Sequence, residues 1–276
     1  MYLTAMTPSE AIELITKYVI QNGEEIAPRD QKTLEILNPT IEVTQPWHIP
    51  LGLENRKLNQ NIGFTEALQL VGQIASPEKM IETSKVFYNY MDDEILYGSY
   101  GPRIYGNLSK VVNLLKNDPA SRQAILTIFD SNKDLNQNLR DIPCTLSLQY
   151  FVRNNKLIAR TTMRSNDIYL GLPYDFVQFI ALQGAIAKAL DLEMGSYFHS
   201  VGSMHIYEKD IDAAKWIKTY FNGGFKNYEP LWSGESIGEI SSNARKLLNG
   251  FPLDNMTSFE DLIWSSRNNY LGIYRG

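Results

Sequence analysis

The chain has 276 residues, 43% of them hydrophobic and 21% charged, which is enough to bury one sizeable core and reads as a single domain over residues 1–276. Its formal charge is −5 with no basic run, so the electrostatic footprint of a duplex nucleic-acid binder is missing and any nucleotide ligand is expected to be small. One cysteine and three scattered histidines (His48, His199, His205) exclude an intrachain disulfide and a cysteine-based zinc site, and argue against any bound metal. No apolar run reaches the roughly 18 residues of a membrane span. The first residues lack the basic and apolar regions of a signal peptide, so a cytoplasmic location is expected.

Thr7, Pro8 and Glu10 predict a capping box with proline at the first helical position. It opens an apolar-periodic helix through Ile12, Leu14, Ile15, Tyr18 and Val19 that stops at Asn22-Gly23. Extended segments follow at 33–37 and 41–44, punctuated by Asn38-Pro39 and Gln45-Pro46. Residues 64–75 and 79–91 read as helices, 108–116 as another closed by Asp118-Pro119, and 124–129 as a buried strand. Strands at 146–153 and 156–163 are predicted to form a hairpin across Asn154-Asn155. Asp175 is expected to cap a nearly all-apolar core helix from Phe176 to Leu190. Beyond residue 222 the chain reads as irregular, with Gly223-Gly224, Pro230, Gly234 and Gly250, and the tail from Asn268 to Gly276 as a loop, either a mobile closing segment or a frayed end. The order fits helices packed on a substantial mixed sheet, an α+β domain without repeats or linkers.

The lone cysteine, Cys144, stands in Asp-Ile-Pro-Cys-Thr directly ahead of a predicted strand. An unpaired cysteine is often only a small buried hydrophobe, but a nucleophilic thiolate needs positive charge beside it. Arg29, Arg122 and Arg164 all lie in motif-like segments that can converge on one anion. The densest functional stretch, Met163 to Phe176, sets Arg164, Ser165, Asp167, Gly171 and Asp175 at a strand-to-helix junction.

Arg122 in Asp-Pro-Ala-Ser-Arg, Pro143-Cys144, Gln149-Tyr150, the run Arg164-Ser165-x-Asp167-x-x-x-Gly171-Leu172-Pro173, and His205-Ile206-Tyr207 resemble the successive motifs of the thymidylate synthase family. With Arg29, Glu66 and Tyr100-Gly101 in family order, the resemblance covers most of residues 24–210. It implies a thymidylate synthase-like fold, a large mixed β-sheet covered by helices, and a homodimer formed through the sheet face. It also implies the chemistry: a cysteine thiolate adds to pyrimidine C6, turning C5 into an enol or enamine carbon that captures a one-carbon unit from 5,10-methylenetetrahydrofolate. On this resemblance Cys144 is the nucleophile, Arg29, Arg164 and Ser165 hold the nucleotide phosphate, and Arg122 reaches it from the partner subunit. His205 and Tyr207 contact the sugar, Glu66 relays protons, Tyr100 assists proton removal at C5, Gln149 orders the base, and Asp167, with Gly171 in the same run, binds the folate. Taken singly, Arg164 and Asp167 also read as a surface ion pair, Glu66 as a solvated helix residue, and His205 and Tyr207 as core fillers; their joint occurrence in family order favours the site.

The sequence departs from thymidylate synthases at Asp175, where those enzymes resemble one another in an asparagine that reads the uracil edge. Uracil offers an N3–H donor and an O4 acceptor, whereas cytosine offers an N3 acceptor and an N4 amino donor. A carboxylate accepts from N4, shares a proton with N3 and repels O4, so Asp175 predicts cytosine. Thr145, Asn166 and Val201-Gly202-Ser203-x-His205 resemble the (deoxy)cytidylate hydroxymethylase branch, which adds water to the exocyclic methylene where thymidylate synthase delivers hydride. No tryptophan stands between Trp47 and Trp216, so the family's tryptophan near the folate is absent, with Phe87, Tyr88 or Tyr90 in that region. Gln123 replaces a second arginine beside Arg122. The expected function is folate-dependent 5-hydroxymethylation of dCMP or CMP, with tetrahydrofolate as coproduct. Methyl transfer ending in hydride delivery and a catalytically silent nucleotide- or RNA-binding relative are the alternatives, and the sugar is left open.

Overall fold

A computed structural model describes residues 1–49, 52–135, 138–220, 225 and 229–271, with side chains up to 268. In chain order the elements are β1 (Tyr2–Ala5), α1 (Pro8–Asn22), β2 (Glu24–Ile26), β3 (Thr33–Leu37), β4 (Thr40–Val43), β5 (Leu53–Glu54), α2 (Gln60–Gly72), α3 (Pro77–Thr83), α4 (Asn107–Asn117), β6 (Ile125–Thr127) and α5 (Ser131–Asp134). Then come β7 (Thr145–Arg153), β8 (Lys156–Asp167), α6 (Leu172–Ala189), β9 (Glu193–Tyr207), α7 (Glu208–Ala214), β10 (Lys218–Thr219), α8 (Ile237–Leu248) and α9 (Ser258–Leu271).

Eight strands make one mixed sheet ordered β1-β4-β9-β8-β7-β6, with β3 also on β9 and β2 on β3; β5 and β10 form a separate ribbon. The β1–β4 and β8–β9 pairs are parallel and the other pairs antiparallel. Strand β9 is long enough to take β4 along Tyr197–Ser200 and β3 along Ser203–Tyr207. The α+β architecture expected from the sequence is therefore present.

Local chemistry explains where the elements begin and turn. The Thr7 hydroxyl accepts the Glu10 amide N–H at 3.2 Å, and the Glu10 carboxylate reaches back to the Met6 amide at 2.6 Å, one residue beyond the expected reciprocal bond. Asn154 and Asn155 have φ of 52° and 58°, the left-handed pair that a two-residue hairpin needs between β7 and β8. Helix α6 is buried nearly all round, with Phe176, Phe179, Ile180, Leu182, Ala185 and Ile186 packed between the sheet and α2.

Several boundaries differ from expectation. Helix α6 starts at Leu172 with Gly171 as its N-cap, so Asp175 is not the cap but lies inside the first turn, where the helix dipole still favours a carboxylate. The helix expected at 64–75 runs from Gln60 to Gly72. The one expected at 79–91 ends at Thr83, because Ser84 is extended at φ −161° and its hydroxyl starts a 3-10 turn, Lys85–Tyr90. Strand β6 is only Ile125–Thr127, and β8 continues to Asp167.

The region beyond 222 is not simply irregular. Ser236 caps α8 by accepting the Glu239 N–H at 3.2 Å, and Thr257 and Glu260 close a reciprocal capping box ahead of α9. Trp232, fully buried, donates to the Ala181 carbonyl at 2.8 Å, and the buried Arg267 ties α9 to the Thr65 hydroxyl and the Leu248 carbonyl. Of the expected C-terminal loop, residues 268–271 are helical; 272–276 and Gly223-Gly224 lie outside the described residues.

Candidate active site

A cavity of about 230 Å³ opens where α2, the turn at Gly98–Gly101, the segment Asp141–Cys144 and the first turns of α6 meet. Gly101 sets Tyr100 on this cavity: a Cβ at that position would collide with the carbonyl oxygens of Gln69 and Ile74, so only glycine lets the turn lie on α2. The Tyr100 ring stacks on Phe179, centroids 5.9 Å apart and 15° from parallel. Burial, and then the negative charge at Asp175 and Cys144, push the Tyr100 phenol well above its ordinary range.

Cys144 faces this cavity, partly buried, just ahead of β7. Its carbonyl accepts the Arg164 amide at 2.8 Å, while the Arg164 guanidinium donates to the carbonyls of Pro143 at 3.0 Å and Ile142 at 3.1 Å. Arg164 thus holds the strand of chain that presents the thiol. Burial pushes the thiol up, Arg164 and Arg29 pull it down, and Asp175 and Asp141 push it up again. The resting group is therefore a thiol whose ionisation depends on the arginines.

Arg29 comes from the 3-10 turn Pro28–Asp30 between β2 and β3 and has φ 52°, a left-handed conformation that a side-chain-bearing residue adopts only at a cost. Its charge reaches both Cys144 and Tyr207. Ser165 Oγ lies 3.5 Å from His205 Nδ1, and the His205 ring meets Tyr207 edge-on at 5.3 Å. The parallel register of β8 and β9, which sets Asp167 opposite His205, brings these groups together.

The opposite wall of the cavity is acidic. Asp175 is 7% exposed; Asn166 donates to its Oδ2 at 2.8 Å and Gln178 to its Oδ1 at 3.2 Å. Burial raises this carboxyl to about 7 against the pull of those two amides, with Asp167 adding to the rise. The same Gln178 nitrogen lies 3.3 Å from Glu66 Oε2, so one amide bridges both carboxyl groups. Burial, then Asp175 and Asp141, hold Glu66 well above the usual carboxylate range. A carboxyl at about 7 beside one held well above the usual carboxylate range suits the pair to give and take protons.

The sequence reading missed Gln178, although its position three residues after Asp175 on one helix puts both on one face. It also missed Asp141, which lines the cavity and accepts the Gly98 N–H at 2.9 Å. Asp167 Oδ1 accepts the amides of Tyr169 at 2.8 Å and Leu170 at 3.0 Å, shaping the turn into α6. Gly171 lies behind the cavity, where a Cβ would press to 3.2 Å from Asn166 Nδ2 and 3.5 Å from Asp175 Oδ2. Gln149 donates to the Arg122 carbonyl at 3.0 Å, and neither residue lines the cavity; Arg122 is exposed. Of the aromatic candidates near the missing tryptophan, Phe87 and Tyr90 line the cavity while Tyr88 is 58% exposed.

Fold and site define an α+β protein in which a mixed sheet presents one cysteine to a pair of bridged carboxyl groups, Asp175 buried and Glu66 partly so. The thymidylate synthase family model matches residues 15–219, and the chain belongs to that family. Among relatives, it is 29% identical over 224 residues to a deoxyuridylate hydroxymethyltransferase of Bacillus phage SP01, covering 75% of this chain and 58% of the relative. Thymidylate synthases of Mycoplasma pneumoniae (32% over 129 residues, 43% of this chain and 44% of the relative) and Listeria monocytogenes (28% over 151 residues, 49% and 48%) are also similar. The matches thus span about half the length of these relatives. No group of three or more metal-ligating side chains occurs among the described residues, and none of their helices is long and apolar enough to cross a membrane.

Proposed function

We propose that the protein transfers a hydroxymethyl group from 5,10-methylenetetrahydrofolate to C5 of a cytidine monophosphate, dCMP or CMP. The observation that carries this reading is Asp175, a buried carboxyl on the cavity wall, poised near neutrality and held by two amide donors. Cytosine suits such a group: it accepts from N4 and passes its proton to N3 as the ring is attacked.

In this reading the Cys144 thiol gives its proton to solvent, its sulfur bonds to C6, the C5=C6 pair moves to C4=C5, and the C4=N3 pair moves onto N3, which takes the Asp175 proton. C5 is then an enamine carbon able to accept the one-carbon unit that the folate supplies. Tyr100 and Glu66 take the C5 proton and manage the proton traffic that frees the methylene. A water molecule adds to the exocyclic methylene, sulfur leaves C6, and tetrahydrofolate is the coproduct. Phe87 and Tyr90 give an aromatic wall for the folate without the bulk of an indole, which favours water at the last step. Arg29, Arg164 and Ser165 take the phosphate and His205 and Tyr207 the sugar, with Asp167 toward the folate. Arg122, exposed in the bend ahead of β6 with its carbonyl held by Gln149, suits a contribution to a partner subunit in a homodimer.

A uracil nucleotide is the second reading, favoured by the same carboxyl together with the name of the phage relative. A neutral Asp175 offers one donor and one acceptor, matching O4 and N3–H of uracil, and only its ionised form repels O4. The carboxyl therefore rejects uracil only when ionised, while its neutral form, the one that protonates N3, pairs with either base. Incubation with methylenetetrahydrofolate and 5-fluoro-CMP or 5-fluoro-dCMP tests the reading: a covalent ternary adduct is expected in the wild type and none in Cys144→Ala. An adduct with 5-fluoro-dUMP alone would sink the cytosine assignment.

A further inference from the structure

Behind Asp175, on the side away from the cavity, runs a file of buried hydrogen bonds that the proposed chemistry does not use. Asn166 Nδ2 donates to Asp175 Oδ2 at 2.8 Å, and Asn166 Oδ1 stands 2.8 Å from His199 Nε2. His199 Nδ1 stands 3.0 Å from the Tyr197 hydroxyl, which is 2.8 Å from Thr161 Oγ1. His199 and Tyr197 are wholly buried and Thr161 and Asn166 nearly so, and the Phe176 ring packs edge-on to the imidazole at 5.3 Å. Burial lowers the His199 pKa to about 3, so the ring is neutral and carries one N–H.

One donor and one acceptor on that ring leave two ways to pair the whole file. With Asp175 ionised, the Asn166 amide donates to it, the Asn166 carbonyl takes His199 Nε2–H, and bare Nδ1 takes the Tyr197 proton, so that the Tyr197 hydroxyl, which donates to Thr161 in the structure, turns and accepts from it. With Asp175 protonated, its O–H donates to the Asn166 carbonyl after a half-turn of the amide, and the amide then donates to bare Nε2. In that arrangement Nδ1–H donates to Tyr197, and Tyr197 donates to Thr161. Any mixed pattern sets two donors or two acceptors face to face in a dry interior, at a cost comparable to a lost hydrogen bond.

The geometry points to a two-state relay in which His199 is a positioning residue, its tautomer and the orientation of Asn166 tied to the charge on Asp175. The groups that act on Asp175, or feel its charge, from the surrounding elements are Glu66 on α2, Asp167 on β8, Cys144 ahead of β7, Tyr100 from the Gly98–Gly101 turn and Tyr197 on β9. All are acids, so none of them supplies a positive charge to hold Asp175 ionised; the file supplies donors instead. The functional consequence rests on the reading of Asp175 as the base contact. When sulfur adds at C6 the O–H turns from Asn166 to N3 and gives up its proton, and the relay, by turning the Asn166 amide, returns a donor to the carboxylate left behind.

The test is a 15N spectrum of the ligand-free, histidine-labelled protein from pH 5 to pH 9, with His199 assigned by elimination in His48→Gln and His205→Gln proteins. The Asp175 carboxyl is followed by 13C in the same samples. The expected result is a neutral His199 throughout, with its proton on Nδ1 at low pH and on Nε2 at high pH, the change tracking Asp175. In Asp175→Asn the tautomer is expected not to vary with pH. A single wild-type tautomer across the range, or an imidazolium, would overturn the relay. Because no turnover is involved, a tautomer change in a protein that modifies no cytosine nucleotide would retire the proposed substrate and leave the relay standing.

Discussion

The acidic lining of the cavity and the arginines beside it are built in opposite ways. The acidic wall, Glu66, Gln178, Asp175 and Asn166, lies on α2, α6 and the end of β8, with Asp175 and Gln178 no more than 7% exposed and joined by amide bridges. The cationic side, Arg29 and Arg164, is exposed and stands on a strained turn and a strand end, and the Arg164 guanidinium spends two of its donors on backbone carbonyls. A buried wall with fixed donors and acceptors discriminates between bases, because a mismatched edge there finds no water to repair it. Exposed arginines attract and orient an anion without selecting its base. On the proposed reading, selectivity and proton transfer belong to the core, and anion capture to the surface.

Changes that break the core side are expected to cost most. Cys144→Ala removes the proposed nucleophile and is expected to lower kcat by roughly four powers of ten or more while leaving the melting temperature nearly unchanged; single-turnover assays beside a thermal melt check this. Asp175→Asn supplies an amide in place of the carboxyl and is expected to move the ratio of kcat/KM for cytosine over uracil nucleotides by about four powers of ten toward uracil. Glu66→Gln is expected to slow turnover by roughly a hundredfold to ten-thousandfold while still trapping the 5-fluorinated nucleotide, since the sulfur addition does not need it.

On the surface side the expected losses are smaller. Arg164→Lys keeps the charge but loses the fork that grips Ile142 and Pro143, and kcat/KM is expected to fall about tenfold, with the thiol alkylation rate falling in parallel. If Arg164→Lys cost as much as Asp175→Asn, the division between core and surface would be wrong.

Asp175 also sets a pH dependence of stability. Its folded pKa of about 7 stands above the unfolded value, so the native chain holds a proton that the unfolded chain has released between roughly pH 4 and 7. That contribution is full below the unfolded pKa and is lost as pH rises through 7, by up to about 4 kcal/mol. Wild-type stability is expected to decline from pH 5 to 8 more steeply than that of Asp175→Asn, as urea titrations at each pH will show.

The parts of this account that depend on local chemistry were legible in the sequence. The Thr7 cap, the Asn154-Asn155 turn and the apolar helix after Pro173 follow from short-range rules, and the order of the motifs named the family. Two C-terminal helices were missed although Ser236-x-x-Glu239 and Thr257-x-x-Glu260 carry capping signals, because the glycines and prolines around them outweighed those signals. The start of α6 was placed late, since Gly171-Leu172-Pro173 was read as a functional run and not as a helix start. The Asn166–His199 contact, between residues that the β8–β9 register does not pair, and the Gln178 bridge between α6 and α2 are tertiary contacts that no local pattern encodes. Asn166 was singled out as a departure from thymidylate synthases, but its partners became visible only in three dimensions.

The most direct test of the central claim is an incubation of the protein with methylenetetrahydrofolate and an equimolar mixture of CMP, dCMP, UMP and dUMP, read by mass spectrometry of the nucleotides and by dihydrofolate absorbance. The account predicts a gain of CH2O on a cytosine nucleotide with no dihydrofolate, and the mass of the product names the sugar. A gain of CH2 on dUMP with stoichiometric dihydrofolate would contradict it and make this chain a thymidylate-forming member of the family.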